Sequence, residues 1–491
     1  MTKKTLLFLS LLSFSLSLRA QPKYEVRAVW LATVYGLDWP RVKATDAASR
    51  TRQQQALCTL LDSLAAANFN TVFFQARLRG DVAYRSAFEP YSAVFTGACN
   101  GNPGYDPLAF AVEECHKRGL ECHAWFVTFP LGSDKSVKEQ GKLSPVKRHA
   151  ALCKRYNGAW YLDPGLPGTA DYLASMVREL VAAYDVDGIH FDYIRYPEKA
   201  EAFPDKQVYA RYGKGMEVSE WRRQNIDRLV ARLYDTVKAI KPWVQVSSAP
   251  LGKYGPTQQM PDAGWTAYGS VYQDPKKWMA EGKHDMVVPM MYYRYEHFFP
   301  FVDDWVAGSH GRLVVPGLGA YRLDEAEAGW ELTTITDQLD YTRYFGGAGC
   351  AFFRCASVLD HAHGVYSELK EVYYRYPAML PPLTWLNDSV PPAPAEVRAE
   401  RSGAELKLSW EPVGEPTDGT TYTVYYGARD SLDTSSPQHI LATGVRGTEL
   451  FLPVDTVRER LFFFGVSAST RYRMESGLSP TVLYYLSPYK K

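Results

Sequence analysis

The chain has 491 residues, with 55 lysines and arginines against 54 aspartates and glutamates. A balance this close to neutral, with no basic block, excludes a nucleic-acid binder, because phosphate contact needs clustered cations. Aromatic residues make up 14% of the chain, which fits either a glycan-binding surface or a large core joined to an all-β domain, and the length predicts two domains.

In chain order, the first predicted feature is an export signal. Lys3 and Lys4 precede an apolar run from Leu6 to Leu18, and Leu18-Arg19-Ala20 ends on a small residue. Residues 1–20 therefore read as a signal peptide cleaved after Ala20. The run is too short to cross a bilayer, and Gln21 rather than a cysteine follows the cleavage site. The expectation is a protein of the periplasm or the extracellular space, with no transmembrane segment and no lipid anchor. Loss of Lys3, Lys4 and Arg19 takes the bases from 55 to 52 against 54 acids, so the neutral character persists. The seven cysteines, at 58, 99, 115, 122, 153, 350 and 355, leave at least one unpaired. Cys115 and Cys122 fall within a predicted helix and strand, which reads as buried thiols more than as a disulfide framework.

From residue 24 to about 375, short apolar strands alternate with helical stretches. Eight strands are predicted: Val26–Thr33, Thr71–Arg77, Leu120–Val127, Gly188–Tyr193, Trp243–Ala249, Asp285–Tyr293, Leu313–Leu318 and Gly349–Phe353. Helices are predicted over 49–67, 107–118, 169–184, 217–240 and 331–345. Alternation in this number predicts an α/β fold of the (β/α)8, TIM-barrel type over residues 24–380. A doubly wound open sheet is the alternative, but no glycine-rich nucleotide loop follows the first strand. Two long connections, Phe129 to Pro167 and Pro197 to about Ser219, leave the strand C-termini, where barrel enzymes carry their active sites and where long loops serve binding. Pro381-Pro382 and Val390-Pro391-Pro392-Ala393-Pro394 mark a stiff linker over residues 381–394. Beyond it, Glu405–Trp410, Tyr422–Tyr426 and Leu461–Ser467 alternate as strands. Residues 395–488 accordingly resemble a fibronectin type III, immunoglobulin-like sandwich with Trp410 and Tyr425 in its core. Its expected role is spacing or docking, with a carbohydrate-binding module as the alternative.

The most informative stretch is Tyr184-Asp185-Val186-Asp187-Gly188-Ile189-His190-Phe191-Asp192-Tyr193-Ile194-Arg195-Tyr196-Pro197. Side chains alternate along a strand, so Ile189 and Phe191 face the helices while His190 and Asp192 share the barrel interior. Asp192 ends the strand, where a barrel places catalytic groups, and Arg195 is near enough to hold its carboxylate ionised or to grip a substrate oxygen. A buried Asp192–Arg195 ion pair is the bland alternative. Asp187, of opposite parity at the strand's start, reads as structural.

Further polar and aromatic groups gather at other predicted strand ends. Asp38 and Trp39 follow the first strand; Gln75 and Arg77 end the second, with Asp81 in its loop. Trp125 shares an inner face of the third with His123, and Asp163 closes the long loop behind it. Tyr292 and Tyr293 end the sixth, followed by Glu296, and Arg354 follows the eighth. Taken singly, Asp163 could be a helix cap, Gln75 and Arg77 an interior polar layer, the two tyrosines packing and Glu296 a solvated charge. Their convergence on one rim favours a binding site. Glycoside hydrolysis needs two carboxyl groups; Asp192 is the expected nucleophile or base, with Asp163, Glu296 and Asp81 as candidate partners. No cofactor or metal is required by this chemistry. A metal-dependent hydrolase is the competing enzyme class, but His361-Ala362-His363 is the lone His-x-His and opens a helix rather than ending a strand. Acyl-transfer chemistry is disfavoured because there is no Gly-x-Ser-x-Gly elbow. A non-catalytic glycan-binding barrel is the second alternative. The expected partner is a polysaccharide, and no oligomeric state follows from the sequence.

These motifs resemble the glycosyl hydrolase-like 10 family of exported bacterial proteins. The matching stretches are Glu25–Trp30 with Leu37-Asp38-Trp39-Pro40, Asn70–Gln75, Gly80-Asp81-Val82-Ala83-Tyr84-Arg85-Ser86, Gly104-Tyr105-Asp106-Pro107-Leu108, His116-Lys117-Arg118-Gly119, His123-Ala124-Trp125-Phe126, Tyr161-Leu162-Asp163-Pro164-Gly165, the fourth-strand segment and Pro289-Met290-Met291-Tyr292-Tyr293. They run in order from about 25 to 375. The resemblance implies a barrel and glycosidase activity on bacterial glycans, for some members on peptidoglycan strands stripped of their peptides. It carries the Asp-Gly-x-x-Phe-Asp strand onto Asp187 and Asp192. Many members place a second aspartate next, where this chain has Tyr193.

Overall fold

The computed structural model describes residues 21–453 and 461–485; the expected signal peptide lies outside them. Nine short segments form one parallel sheet that runs from Leu313–Val314 at one end to Gly317–Leu318 at the other. Those two ends are one stretch of chain. Val315 N donates to Val287 O and Gly317 N to Pro289 O on one side, while Ala351 N donates to Pro316 O and Phe353 N to Leu318 O on the other. The sheet thus returns on itself as a TIM-like barrel of Val26–Leu31, Thr71–Arg77, Glu121–Val127, Gly188–Asp192, Gln245–Ser248, Met286–Val287, the split seventh strand and Gly349–Phe352.

Strands six and seven are shorter than their apolar runs predict. Regular pairing in the sixth is confined to Met286–Val287, with Met290 making only isolated bridges to Leu251 and Gly317. Proline has no N–H to give a ladder, and Pro289 and Pro316 sit at the interruptions. The helices match expectation more closely: Ala47–Ala66, Pro107–His116, Pro167–Ala183, Val218–Ile240 and Leu332–Tyr344. Asp46 and Asp106 cap the first two by accepting backbone N–H bonds, which satisfies donors a helix start leaves open. Side-chain parity also holds. Val29, Leu31, Phe74, Ile189 and Phe191 pack outward in the core shared with the helices, whereas Ala28, Trp30, Phe73, Trp125 and Ala351 fill the barrel.

The connection after the third strand, read as loop, contains a three-stranded antiparallel sheet of Pro130–Ser133, Cys153–Tyr156 and Ala159–Leu162. Asn157 and Gly158 turn its hairpin at φ 47° and 76°, the two left-handed residues that match strand twist in a two-residue turn. Every cysteine is a free thiol. No helix among the described residues is long and apolar enough to cross a membrane.

Beyond residue 395 the described chain is all β, in antiparallel sheets of three and four strands that share a core of Leu406, Leu408, Trp410, Tyr422, Val424 and Phe464. Tyr425 is buried elsewhere, beside Met379 and Ile440, because its alternation in the strand turns it toward the barrel. These sheets abut the N-terminal end of the barrel. Arg473 bonds both oxygens of Glu121 and also Gln245, while Arg446 and Arg471 pair with Asp185 and Asp187. Leu383 is buried against the interior cluster, with Leu380, Trp385 and Leu386 packed beside it, so the start of the proline-rich segment plugs the barrel floor.

Candidate active site

Asp192 ends the fourth strand facing inward, almost fully buried. Its Oδ2 accepts from the Trp125 indole at 3.1 Å and its Oδ1 from the Tyr193 N–H at 2.7 Å. Burial raises its pKa, opposed by the Arg195 charge, these two donors and the Arg79 charge. A carboxyl held between desolvation and two guanidiniums is poised for proton transfer or nucleophilic attack, because small changes in its surroundings shift its protonation. Tyr193 has φ 49° and Tyr35, on the same rim, φ 56°. Left-handed backbone is rare in bulky residues and gathers at functional sites.

Beside Asp192 lies a cleft of about 380 Å³ lined by Tyr35, Arg79, Tyr161, Tyr193, Arg195 and Glu198, among others. It is roofed by the inserted hairpin, whose Tyr156 hydroxyl donates to Lys199 O at 2.6 Å. Arg195 is only 8% exposed, lies over the rings of Tyr193 and Trp265 at 4.9 and 5.4 Å, and has an enclosed Nη1 with no hydrogen-bond partner. Arg79 touches the Tyr35 hydroxyl at 3.2 Å. Among the described residues neither arginine forms an ion pair within 4.0 Å. Lys253 steadies the loop that carries Trp265 by donating to Ala263 O at 3.1 Å.

The other residues singled out from the sequence divide into two groups. Tyr292 and Tyr293 sit on the rim with Asp192: burial and the Asp192 charge raise Tyr292 well above its usual pKa, and Lys253 lies over the Tyr293 ring at 5.2 Å. Trp125 reaches Asp192 directly. The rest are engaged by the protein. Asp38 takes Arg354 at 2.7 Å, Ala356 N and Ala32 N, tying the first and eighth strand ends together. Trp39 is buried with its indole on Gln53 O, which leaves no face for a sugar. Gln75 accepts from Thr33 N and Val34 N, and Arg77 is fully buried on Glu89. His190 lies one layer below Asp192, accepting from the Trp30 indole at 3.0 Å and stacked 4.1 Å from Phe73; burial lowers its pKa well below the usual value, so it is neutral.

Of the three partner carboxyls named from the sequence, Asp163 and Asp81 are engaged by groups other than Asp192. Asp163 is fully buried behind the hairpin, taking Gly165 N at 2.9 Å with Lys154 3.8 Å away, and burial pushes it up to about 6. Asp81, also pushed up to about 6 by burial, turns toward Ser92 and the Arg79 N–H. Glu296 is a 71% exposed side chain beside His297. The sequence reading missed Glu198, Arg79 and Trp265, which lie in loops where no periodicity marks direction. Among the described residues no group of three or more His, Cys, Asp and Glu side chains is placed to hold a metal.

Comparison with known proteins fits this geometry. The family model described as Glycosyl hydrolase-like 10 matches residues 25–305. The chain is 31% identical over 437 residues to the glycosyl hydrolase YngK of Bacillus subtilis, covering 83% of this chain and 84% of that one. It is 34% identical over 331 residues to the glycosyl hydrolase DigH of Escherichia coli K12, covering 62% and 75%. Among solved structures, the glycoside hydrolase domain of PgaB from Bordetella bronchiseptica superposes with TM-score 0.50 at 14% identity, over 71% of this chain and 99% of that one; at that identity the likeness concerns the fold.

Proposed function

This chain belongs to the glycosyl hydrolase-like 10 family and is a glycosidase, and we propose from that premise that it is exported and cleaves a bacterial or host glycan, with peptide-free peptidoglycan strands as the leading substrate. The single observation that carries the site is Asp192: a buried carboxyl with raised pKa at a barrel strand's C-terminal end, next in the chain to Tyr193, which with Arg195 lines a cleft of rings and guanidiniums. Asp192 serves as nucleophile or base. Glu198, a carboxyl that lines the adjoining cleft, joins Asp163, Asp81 and Glu296 as a candidate and is our choice for the partner that protonates the departing oxygen. Trp125 and Tyr193 N–H hold the Asp192 oxygens in place, and Tyr193, Tyr292, Tyr293 and Trp265 offer faces for sugar rings. The C-terminal sheets read as a fibronectin type III-like domain docked on the barrel floor.

The test is Glu198→Gln on two substrates. General acid catalysis contributes about 10²–10⁴-fold, so the variant loses activity of that order on glycan strands. On a dinitrophenyl glycoside, whose leaving group needs no proton, kcat/KM, which reports the bond-breaking step, stays near native. Equal loss on both substrates removes Glu198 from the acid role.

A further inference from the structure

A cation taken out of water without an acceptor is costly, so buried guanidiniums are normally paired. The rim breaks this rule. Arg195 is buried with an unsatisfied Nη1, and Asp192, whose carboxyl feels its charge, already spends its oxygens on Trp125 and Tyr193. Arg79 lines the same cleft as a solvent-exposed guanidinium that touches the Tyr35 hydroxyl. Elsewhere the molecule pairs its buried arginines: Arg27 with Glu25, Arg77 with Glu89 and Arg222 with Asp205.

We propose that Arg195 and Arg79 form a subsite for a carboxylate carried by the sugar bound next to Asp192, so that the substrate is an acidic glycan. The inference rests on the glycosidase reading of the cleft. Hydroxyls of a neutral sugar leave the buried, unpaired Arg195 charge uncompensated. The rings of Tyr193 and Trp265 lie against the Arg195 guanidinium, which leaves its edge to meet an acceptor in its own plane. A carboxylate is planar and takes two parallel N–H bonds. Glycan chemistries that supply one beside a glycosidic bond include a carboxyalkyl ether on the ring, as in peptide-free peptidoglycan, and a ring uronate.

Binding separates this proposal from catalysis. Full-length protein carrying Asp192→Asn is titrated calorimetrically with peptide-free peptidoglycan strands, with the same strands after their carboxyls are reduced to alcohols, and with an oligogalacturonide. A charge-assisted pair predicts that reduction weakens binding by about 10- to 100-fold. Addition of Arg195→Met removes the larger part of the preference for native over reduced strands, and Arg195→Met with Arg79→Met makes the protein indifferent to reduction. Arg195→Lys, which keeps the charge, retains part of the preference and shows that the site still folds. Arg195-dependent binding of the oligogalacturonide alone assigns the carboxylate to a ring uronate. Equal affinity for native and reduced strands together with no Arg195-dependent binding of the uronate overturns the proposal, as does an equal loss on native and reduced strands in Arg195→Met. If the native enzyme cleaves none of these polymers while the Arg195-dependent preference persists, the glycosidase reading falls on these substrates and the anion subsite stands.

Discussion

Arginines line both ends of the barrel, and they are treated in opposite ways. At the N-terminal end Arg446, Arg471 and Arg473 reach from the C-terminal sheets to Asp185, Asp187 and Glu121. Burial would raise Glu121, yet the Arg473 charge and the His123 bond hold it down at about 2. At the C-terminal end the buried Arg195 has no such partner, and the Asp192 carboxyl, which feels its charge, is raised rather than lowered. One end uses charge to join two bodies. The other leaves charge unmatched, which costs stability and gives a ligand something to satisfy.

The comparison breaks first at Arg473. Arg473→Met strips Glu121 of its main counter-charge and is expected to destabilise the chain by about 2 kcal/mol, seen as a lower unfolding midpoint with unchanged turnover per folded molecule. Because the Glu121 pKa is lowered in the fold, that stabilisation is present above the unfolded pKa and is lost as pH falls toward about 2. The difference in stability between native and variant therefore shrinks in acid. An unchanged midpoint at neutral pH means that the floor contacts do not join the two parts.

The rim predicts the opposite sign with a smaller size. Asp192→Asn removes a desolvated charge but keeps an oxygen for only one of its two donors, the Trp125 indole and the Tyr193 N–H, so it should stabilise the fold by no more than about 1 kcal/mol at neutral pH. The Asp192 pKa is raised in the fold, so native stability recovers as pH falls through it and the gap to the variant closes. Thermal unfolding across pH checks this, and destabilisation by the variant at neutral pH makes Asp192 a structural residue.

The fourth strand shows how much of this was legible beforehand. Two-residue alternation from Gly188 placed His190 and Asp192 inside and Ile189 and Phe191 outside, as observed. It did not show that His190 is sealed beneath Trp30 and Phe73, because burial depth along a barrel axis depends on the layers above. Trp39 read as part of the binding rim for the same reason, although it is buried with its indole on Gln53 O of the following helix. The hairpin over the cleft was legible in Asn157-Gly158 and was read as loop because its flanking strands are short. Glu198, Arg79 and Trp265 were not legible. Their directions are set by contacts distant in sequence, such as the Tyr156 hydroxyl on Lys199 O and the Lys253 bond to Ala263 O.

The most direct test of the account is the release of soluble fragments from peptide-free peptidoglycan strands by the native protein and by Asp192→Asn. Release by the native protein with a loss of about a thousandfold or more in the variant, on the scale of removing a catalytic group, is the predicted result. Equal release by both proteins would contradict the assignment of Asp192 as the catalytic carboxylate.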